Sequence, residues 1–116
     1  MKGLMIIVRA EKLDAVKKAL QAYGNGGMTV TKVNGCGKQQ GKLDPISLPL
    51  MPGADMGGLL SKMRIDVVVP DDDVEKVIDE VCAYACTGRH GDGKIFVYDV
   101  LDAVRIRTHE RGEKAL

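Results

Sequence analysis

The stretch MRIDVVVPDDDVEKVIDEVCAYACTGRHGDGKIFVY, residues 63–98, decides the fold. Met63 to Val69 is rich in β-branched residues, which suit a pleated, half-buried surface, and reads as a strand. Pro70 breaks it. Asp71, Asp72 and Asp73 follow, and Glu75 stands three residues after Asp72 in the spacing of a capping box. Val74, Val77, Ile78, Val81, Cys82 and Ala85 then recur at i, i+3, i+4, i+7, i+8 and i+11, the stripe of a core-facing helix. A glycine-rich turn leads to Ile95-Phe96-Val97-Tyr98, a second strand.

The first half of the chain repeats that order. Residues 3–8 form a short apolar run bounded by charge, as a buried strand does. Leu13, Val16, Leu20 and Tyr23 fall at helical spacing and predict about three turns, stopped by Gly24-Asn25-Gly26-Gly27. Met28 to Val33 alternates with Thr and Lys in the period-2 manner of a strand. The order βαββαβ predicts an α+β sandwich of the ferredoxin-like kind, two helices on one face of a four-stranded sheet. The strands read as apolar on both faces, and no third layer remains to cover the second one. Self-association through that face is the expectation.

Composition narrows the classes. The chain has 116 residues, read as one domain over 1–116, and 17 Lys+Arg against 16 Asp+Glu leave a net charge of +1. That balance disfavours a nucleic-acid coat, and four aromatics (three Tyr and one Phe) make a poor RNA-stacking sheet. No apolar run approaches the roughly 20 residues that span a bilayer. The N-terminal apolar stretch is too short for a signal peptide, so a cytoplasmic location with no membrane insertion is expected. Cys36, Cys82 and Cys86 lack the spacing and partners of a zinc site, and His90 and His109 do not complete one. Buried or half-buried thiols are expected.

Between the halves lies Gly37 to Ser61, with three of the four prolines and five of the 14 glycines. Its length and lack of periodicity mark a functional loop. Leu43, Ile46, Leu48, Leu50, Met51, Met56, Leu59 and Leu60 make it apolar, as an arm that binds a partner would be.

Thr87-Gly88-Arg89-His90-Gly91-Asp92-Gly93-Lys94-Ile95-Phe96 carries the strongest chemical signal. Gly88, Gly91 and Gly93 let backbone N–H groups turn toward an anion, and Lys94 adds charge. Gly88 and Gly93-Lys94 have the spacing of a Walker A loop, but Ile95 replaces its Ser/Thr and a strand follows where a helix should. Arg105 and Arg107 in Val104-Arg105-Ile106-Arg107-Thr108 are two apart, so an extended chain would point both guanidiniums the same way, as suits a polyphosphate. A small ATP-hydrolysing enzyme is the alternative, disfavoured because no base or metal-carboxylate pair accompanies the loop.

Gly27-Met28-Thr29, Gly35-Cys36-Gly37-Lys38-Gln39, Thr87-Gly88 with Gly91-Asp92-Gly93-Lys94-Ile95-Phe96, and Arg105-Ile106-Arg107-Thr108 together resemble the PII signal-transduction family. The resemblance spans nearly the whole chain and fails in the central loop. It implies a barrel-like homotrimer with ATP or ADP in the clefts between subunits. Residues 37–61 correspond to the family's T-loop, 87–94 to its phosphate-binding B-loop and 104–112 to its C-terminal loop. Ile7, Gly27, Met28, Thr29, Gly35, Gly37, Lys38, Gln39, Asp66 and Val68 match adenosine and loop-base contacts. Gly91, Asp92, Gly93 and Lys94 match the phosphate loop, and Arg105 and Arg107 the arginines that reach the phosphates from a neighbouring subunit. Gln39 matches the residue that holds Mg2+ on ATP, and Lys62 the lysine that pairs with 2-oxoglutarate. Lys38 and Asp66 keep the charge of the Arg and Glu usual there, and Cys36 stands where an aromatic is common. The implied function is to report energy state, and nitrogen and carbon state, to a membrane transporter or metabolic enzyme through the T-loop. Residues 37–61 contain neither Tyr nor Arg, so the family's uridylylated tyrosine and channel-plugging arginine have no counterpart.

Overall fold

Alternation along residues 2–8 sends Leu4, Ile6 and Val8 to one side, where each is essentially buried. The computed structural model describes residues 1–23, 27–36 and 60–116. In chain order the elements are β1 (Lys2–Val8), α1 (Leu13–Leu20), β2 (Met28–Gly35), β3 (Leu60–Val69), α2 (Val74–Ala85) and β4 (Gly93–Asp99). The four strands form one antiparallel sheet in the order β2-β3-β1-β4. With both helices on one face, this is the ferredoxin-like α+β arrangement.

Register decides which residues meet. Ile6 pairs with Ile65 on one side and Ile95 on the other, and Leu4 with Val67 and Val97. The helix-covered face of the sheet therefore presents Leu4, Ile6, Val8, Ile65, Val67 and Val69 to Val16 and Leu20 of α1 and Val74, Val77, Val81 and Ala85 of α2. The stripe read from the sequence is the buried face of α2 apart from Cys82, which is exposed.

Other expectations need correction. Helix α1 ends at Leu20, and Tyr23 lies beyond it, packed against the core from outside the helix. The glycines at 24–26 lie outside the described residues. The Asp72–Glu75 capping box does not form: Asp71–Asp73 instead make a 3-10 turn, and no side-chain cap bond precedes α2. β3 begins at Leu60, so Leu60 and Ser61 belong to the sheet. The thiols of Cys36, Cys82 and Cys86 are all exposed. For Cys82 the reason is angular: it lies to one side of the Val74, Val77, Val81 and Ala85 stripe, at the edge of the buried face.

The second face of the sheet is not uniformly apolar either. Gly3, Met5, Ile7, Val68, Phe96 and Tyr98 share it with Lys62, Arg64, Asp66 and Lys94. Phe96 is 50% exposed and Tyr98 44%, with the Tyr98 ring lying over Gly3 where any Cβ would collide with it. Among the described residues no helix is long and apolar enough to cross a membrane.

Candidate functional site

Pairing of β1 with β4 brings Val8 opposite Gly93, so the residue after β1, Arg9, arrives beside Asp92. Arg9 is buried to 3% exposure and donates Nε–H to Asp92 Oδ1 at 3.0 Å and Nη2–H to the His90 carbonyl at 2.7 Å. Lys62, buried on the adjacent strand β3, donates to the Gly91 carbonyl. Two buried cations thus hold three successive residues of the 87–94 loop.

The peptide units are trans, so each carbonyl and the following N–H point in opposite directions. With the His90 and Gly91 carbonyls drawn inward, the N–H groups of Gly91 and Asp92 face away from the buried cations. Positive φ at Gly88, Gly91 and Gly93 (79°, 95° and 115°) makes that path accessible only to glycine at low cost. At Gly93 there is also no room: an added Cβ would lie 2.7 Å from the Ile7 carbonyl carbon and closer still to its oxygen. Successive outward N–H groups form a nest, the backbone geometry that receives an anion.

Asp92 locks the loop from below. Its carboxylate accepts the Thr87 N–H at 2.7 Å, the Thr87 hydroxyl and the Gly88 N–H at 3.1 Å, besides the Arg9 bond. Burial alone would raise this carboxyl, but the bonds from Thr87, Arg9 and Gly88 outweigh it and hold it well below the usual carboxylate range. Its role is therefore that of a fixed anion inside the turn. Burial, and next the charge of Arg9, push Lys62 down from the ordinary lysine value, against a smaller upward pull from Glu11 and Asp92.

The remaining expected residues divide into groups. Ile7, Lys94, Thr29, Asp66 and Val68 lie on the uncovered sheet face, with Ile7 paired to Lys94 and to Arg64, and Thr29 paired to Asp66. Gly93 and Lys94 open β4, so the loop merges directly into the sheet. Gly27 precedes β2, Met28 turns toward the core and Gly35 ends the strand opposite Leu60. A Cβ at Gly35 would meet nothing within 4 Å, so space does not require glycine there. Asp66 is engaged by Arg64 through Nε at 2.8 Å and Nη2 at 3.0 Å. Gly37, Lys38 and Gln39 lie outside the described residues, as does the arm as far as Leu59.

Arg105 and Arg107 do not sit on a strand. Val104 bridges to Arg111 and the chain turns between them, with Thr108 and His109 N–H groups both directed at the Arg105 carbonyl and His109 in the left-handed region. Arg105 donates to the carbonyls of Lys114 and Leu116 at 3.2 and 3.1 Å and lies 3.8 Å from Glu110. These contacts tie Arg105 to its own segment rather than to the 87–94 loop.

Arg9 and Arg64 were missed by sequence reasoning. Arg64 had a signal, two residues before Asp66 on one strand face. Arg9 had none short of the β1–β4 register.

Fold and loop define a ferredoxin-like α+β domain whose glycine turn is pinned by buried cations. A sequence profile described as "Nitrogen regulatory protein P-II" matches residues 1–110. The chain is 44% identical over 117 residues to "Nitrogen regulatory protein P-II 1" of Escherichia coli (strain K12), covering all of both chains. It is 46% identical over 117 residues to "Nitrogen regulatory protein P-II 2" of Methanothermobacter thermautotrophicus (strain Delta H), covering 100% of this chain and 97% of that one. The P-II protein of Bradyrhizobium diazoefficiens (strain USDA 110) is 44% identical over 117 residues, again with full coverage of both. This chain belongs to the nitrogen regulatory protein P-II family, and its class is that of a signal-transduction regulator rather than an enzyme.

Proposed function

We propose that the protein binds ATP and ADP in competition at the 87–94 loop and reports the outcome through residues 37–59. The single observation that carries this is the pinning of the His90 and Gly91 carbonyls by buried cations, which turns the next two N–H groups away from those cations just before Lys94 opens β4. A polyphosphate matches that chemistry better than a carboxylate, because it offers several oxygens to N–H groups and a lysine at once. Ile7, Val68 and Thr29 line the neighbouring sheet face, where a nucleoside would lie.

The site is completed by a neighbour in a homotrimer, through the sheet face that carries Met5, Phe96 and Tyr98. Arg105 and Arg107 reach the phosphates of the adjacent subunit from their turn. Mg2+ would be held on the ATP phosphates by Gln39, and 2-oxoglutarate would pair with Lys62. For the last step Lys62 must exchange the Gly91 carbonyl for the acid, so binding of the acid and the shape of the loop are linked. Nucleotide changes affinity for a target transporter or metabolic enzyme only as far as it prefers one arm state.

Titration calorimetry with ATP and ADP, each with and without Mg2+ and 2-oxoglutarate, tests the reading. Binding of both nucleotides, with ATP tightened by 2-oxoglutarate, supports a nitrogen and carbon sensor. Binding without that tightening leaves an energy sensor. Absence of nucleotide binding removes the proposal and leaves the family and fold.

A further inference from the structure

Cys82 and Cys86 stand one turn apart at the C-terminal end of α2, and both thiols are exposed. Cys86 donates its N–H to the Cys82 carbonyl at 3.1 Å, so the last helical turn is closed. At helical spacing their Cα atoms are about 6 Å apart, within the span of a disulfide. The Cβ atoms, however, are about 5–6 Å apart in that geometry, whereas a disulfide needs about 3.5–4.5 Å. Forming the bond must therefore draw Cys86 toward Cys82. The chain yields on the far side, because Cys86 has already left the helix at φ −70°, ψ 127°.

The residue on that far side is Thr87. Its N–H and hydroxyl are two of the groups that hold the Asp92 carboxylate, and Asp92 anchors the loop to Arg9. We propose that Cys82 and Cys86 form a reversible thiol–disulfide pair whose state sets the geometry of the 87–94 loop. The effect on nucleotide rests on the function proposed above; the effect on the loop does not. A low-molecular-weight disulfide such as oxidised glutathione supplies the oxidant. One protein thiolate attacks it, releasing a reduced thiol and leaving a mixed disulfide. The second thiolate then displaces another reduced thiol and closes the ring, so two electrons pass to the oxidant and the two thiol protons end on the two departing thiols. A bond that strains its helix is easily reduced again, which suits a switch rather than a staple.

The test uses the full chain carrying Cys36→Ser, which removes the third thiol, equilibrated in glutathione buffers of graded ratio. Trypsin leaves Cys82 and Cys86 together in the peptide of residues 77–89, so the bridge appears as that peptide lighter by two hydrogens and closed to alkylation. Hydrogen exchange of the Gly88–Asp92 amides is read in parallel. The expected result is bridge formation with faster exchange of those amides, reversed by dithiothreitol and absent in Cys82→Ser and Cys86→Ser. A coupling of usual size weakens ATP binding on the order of tenfold, and ATP then raises the pair's reduction potential by about 30 mV. Mixed glutathione disulfides without a bridge, or a bridge that leaves the loop amides unchanged, overturn the proposal. Faster loop exchange in a protein that binds no nucleotide upholds the switch and removes the nucleotide reading.

Discussion

Replacing Asp92 by Asn should be the most informative single change, because it alters charge while keeping shape. The carboxylate is a counter-ion of Arg9, whose side chain is 3% exposed against 22% for Asp92 itself. Removing one partner of a buried ion pair costs about 3–5 kcal/mol, since the other charge stays desolvated. Asp92 keeps some contact with water, which places the loss near the lower end, about 3 kcal/mol. The Asn amide also aims a donor at the Thr87 and Gly88 N–H groups, which need acceptors. For a domain of this length that loss lowers Tm by about 10 °C when protein concentration is fixed. The pH dependence has a definite sign. The folded carboxyl lies below its ordinary value of 3.8, so its stabilisation is complete above about pH 4 and fades as the pH falls toward the folded value. Wild type and Asp92→Asn should differ most at neutral pH and converge in acid. Urea midpoints measured by circular dichroism from neutral pH down to about pH 3 give both quantities. A difference below about 1 kcal/mol at neutral pH, or one that does not narrow in acid, would refute the account of Asp92 as the loop's anchor.

The two glycines at strand ends should behave oppositely: Gly93→Ala, with φ 115° and the Ile7 carbonyl in the way, should cost more than about 3 kcal/mol or prevent folding, while Gly35→Ala should stay within about 0.5 kcal/mol, as chemical denaturation will show. Phe96→Asp, on the uncovered sheet face, should convert the proposed trimer toward monomer in sedimentation velocity while the far-ultraviolet spectrum is kept; an unchanged mass would place the subunit contact elsewhere. Lys62 is lowered from its ordinary value by burial, so protonating it opposes folding. Relative to Lys62→Met, the wild type should therefore gain stability as pH rises toward about 10.5, and parallel denaturation curves would count against a buried, desolvated lysine.

What the sequence made legible was whatever repeats at a short period. The strand of residues 63–69 and the helix from Val74 to Ala85 could be read because β-branched alternation and a 3.6-residue stripe are local signals. The glycine loop could be read because Gly88, Gly91 and Gly93 are spaced as turn residues, and all three carry positive φ. Illegible features came from register or from competition between local patterns. Arg9 looks like the charge that ends an apolar run, and becomes the loop's principal tether only because β1 and β4 pair Val8 with Gly93. The Arg105–Arg107 spacing suggested a strand, yet a left-handed His109 and the Val104–Arg111 bridge fold the segment into a turn. Asp72 and Glu75 had capping spacing, but three successive aspartates after Pro70 make a 3-10 turn and shift the helix start to Val74.

The same distinction bears on how the loop could signal. Lys62 occupies β3 two residues after Leu60, where the strand emerges from residues 37–59, and its ammonium group ends on the Gly91 carbonyl. The strand that continues the arm and the loop proposed to bind nucleotide therefore share one buried hydrogen bond. A ligand that claims the lysine leaves that carbonyl unpaired, and a ligand that stiffens the loop holds the lysine in place. Either event biases the first residues of β3 without passing through the helices. Under the proposed function, coupling between the arm and the loop would need no long pathway, only competition for one cation.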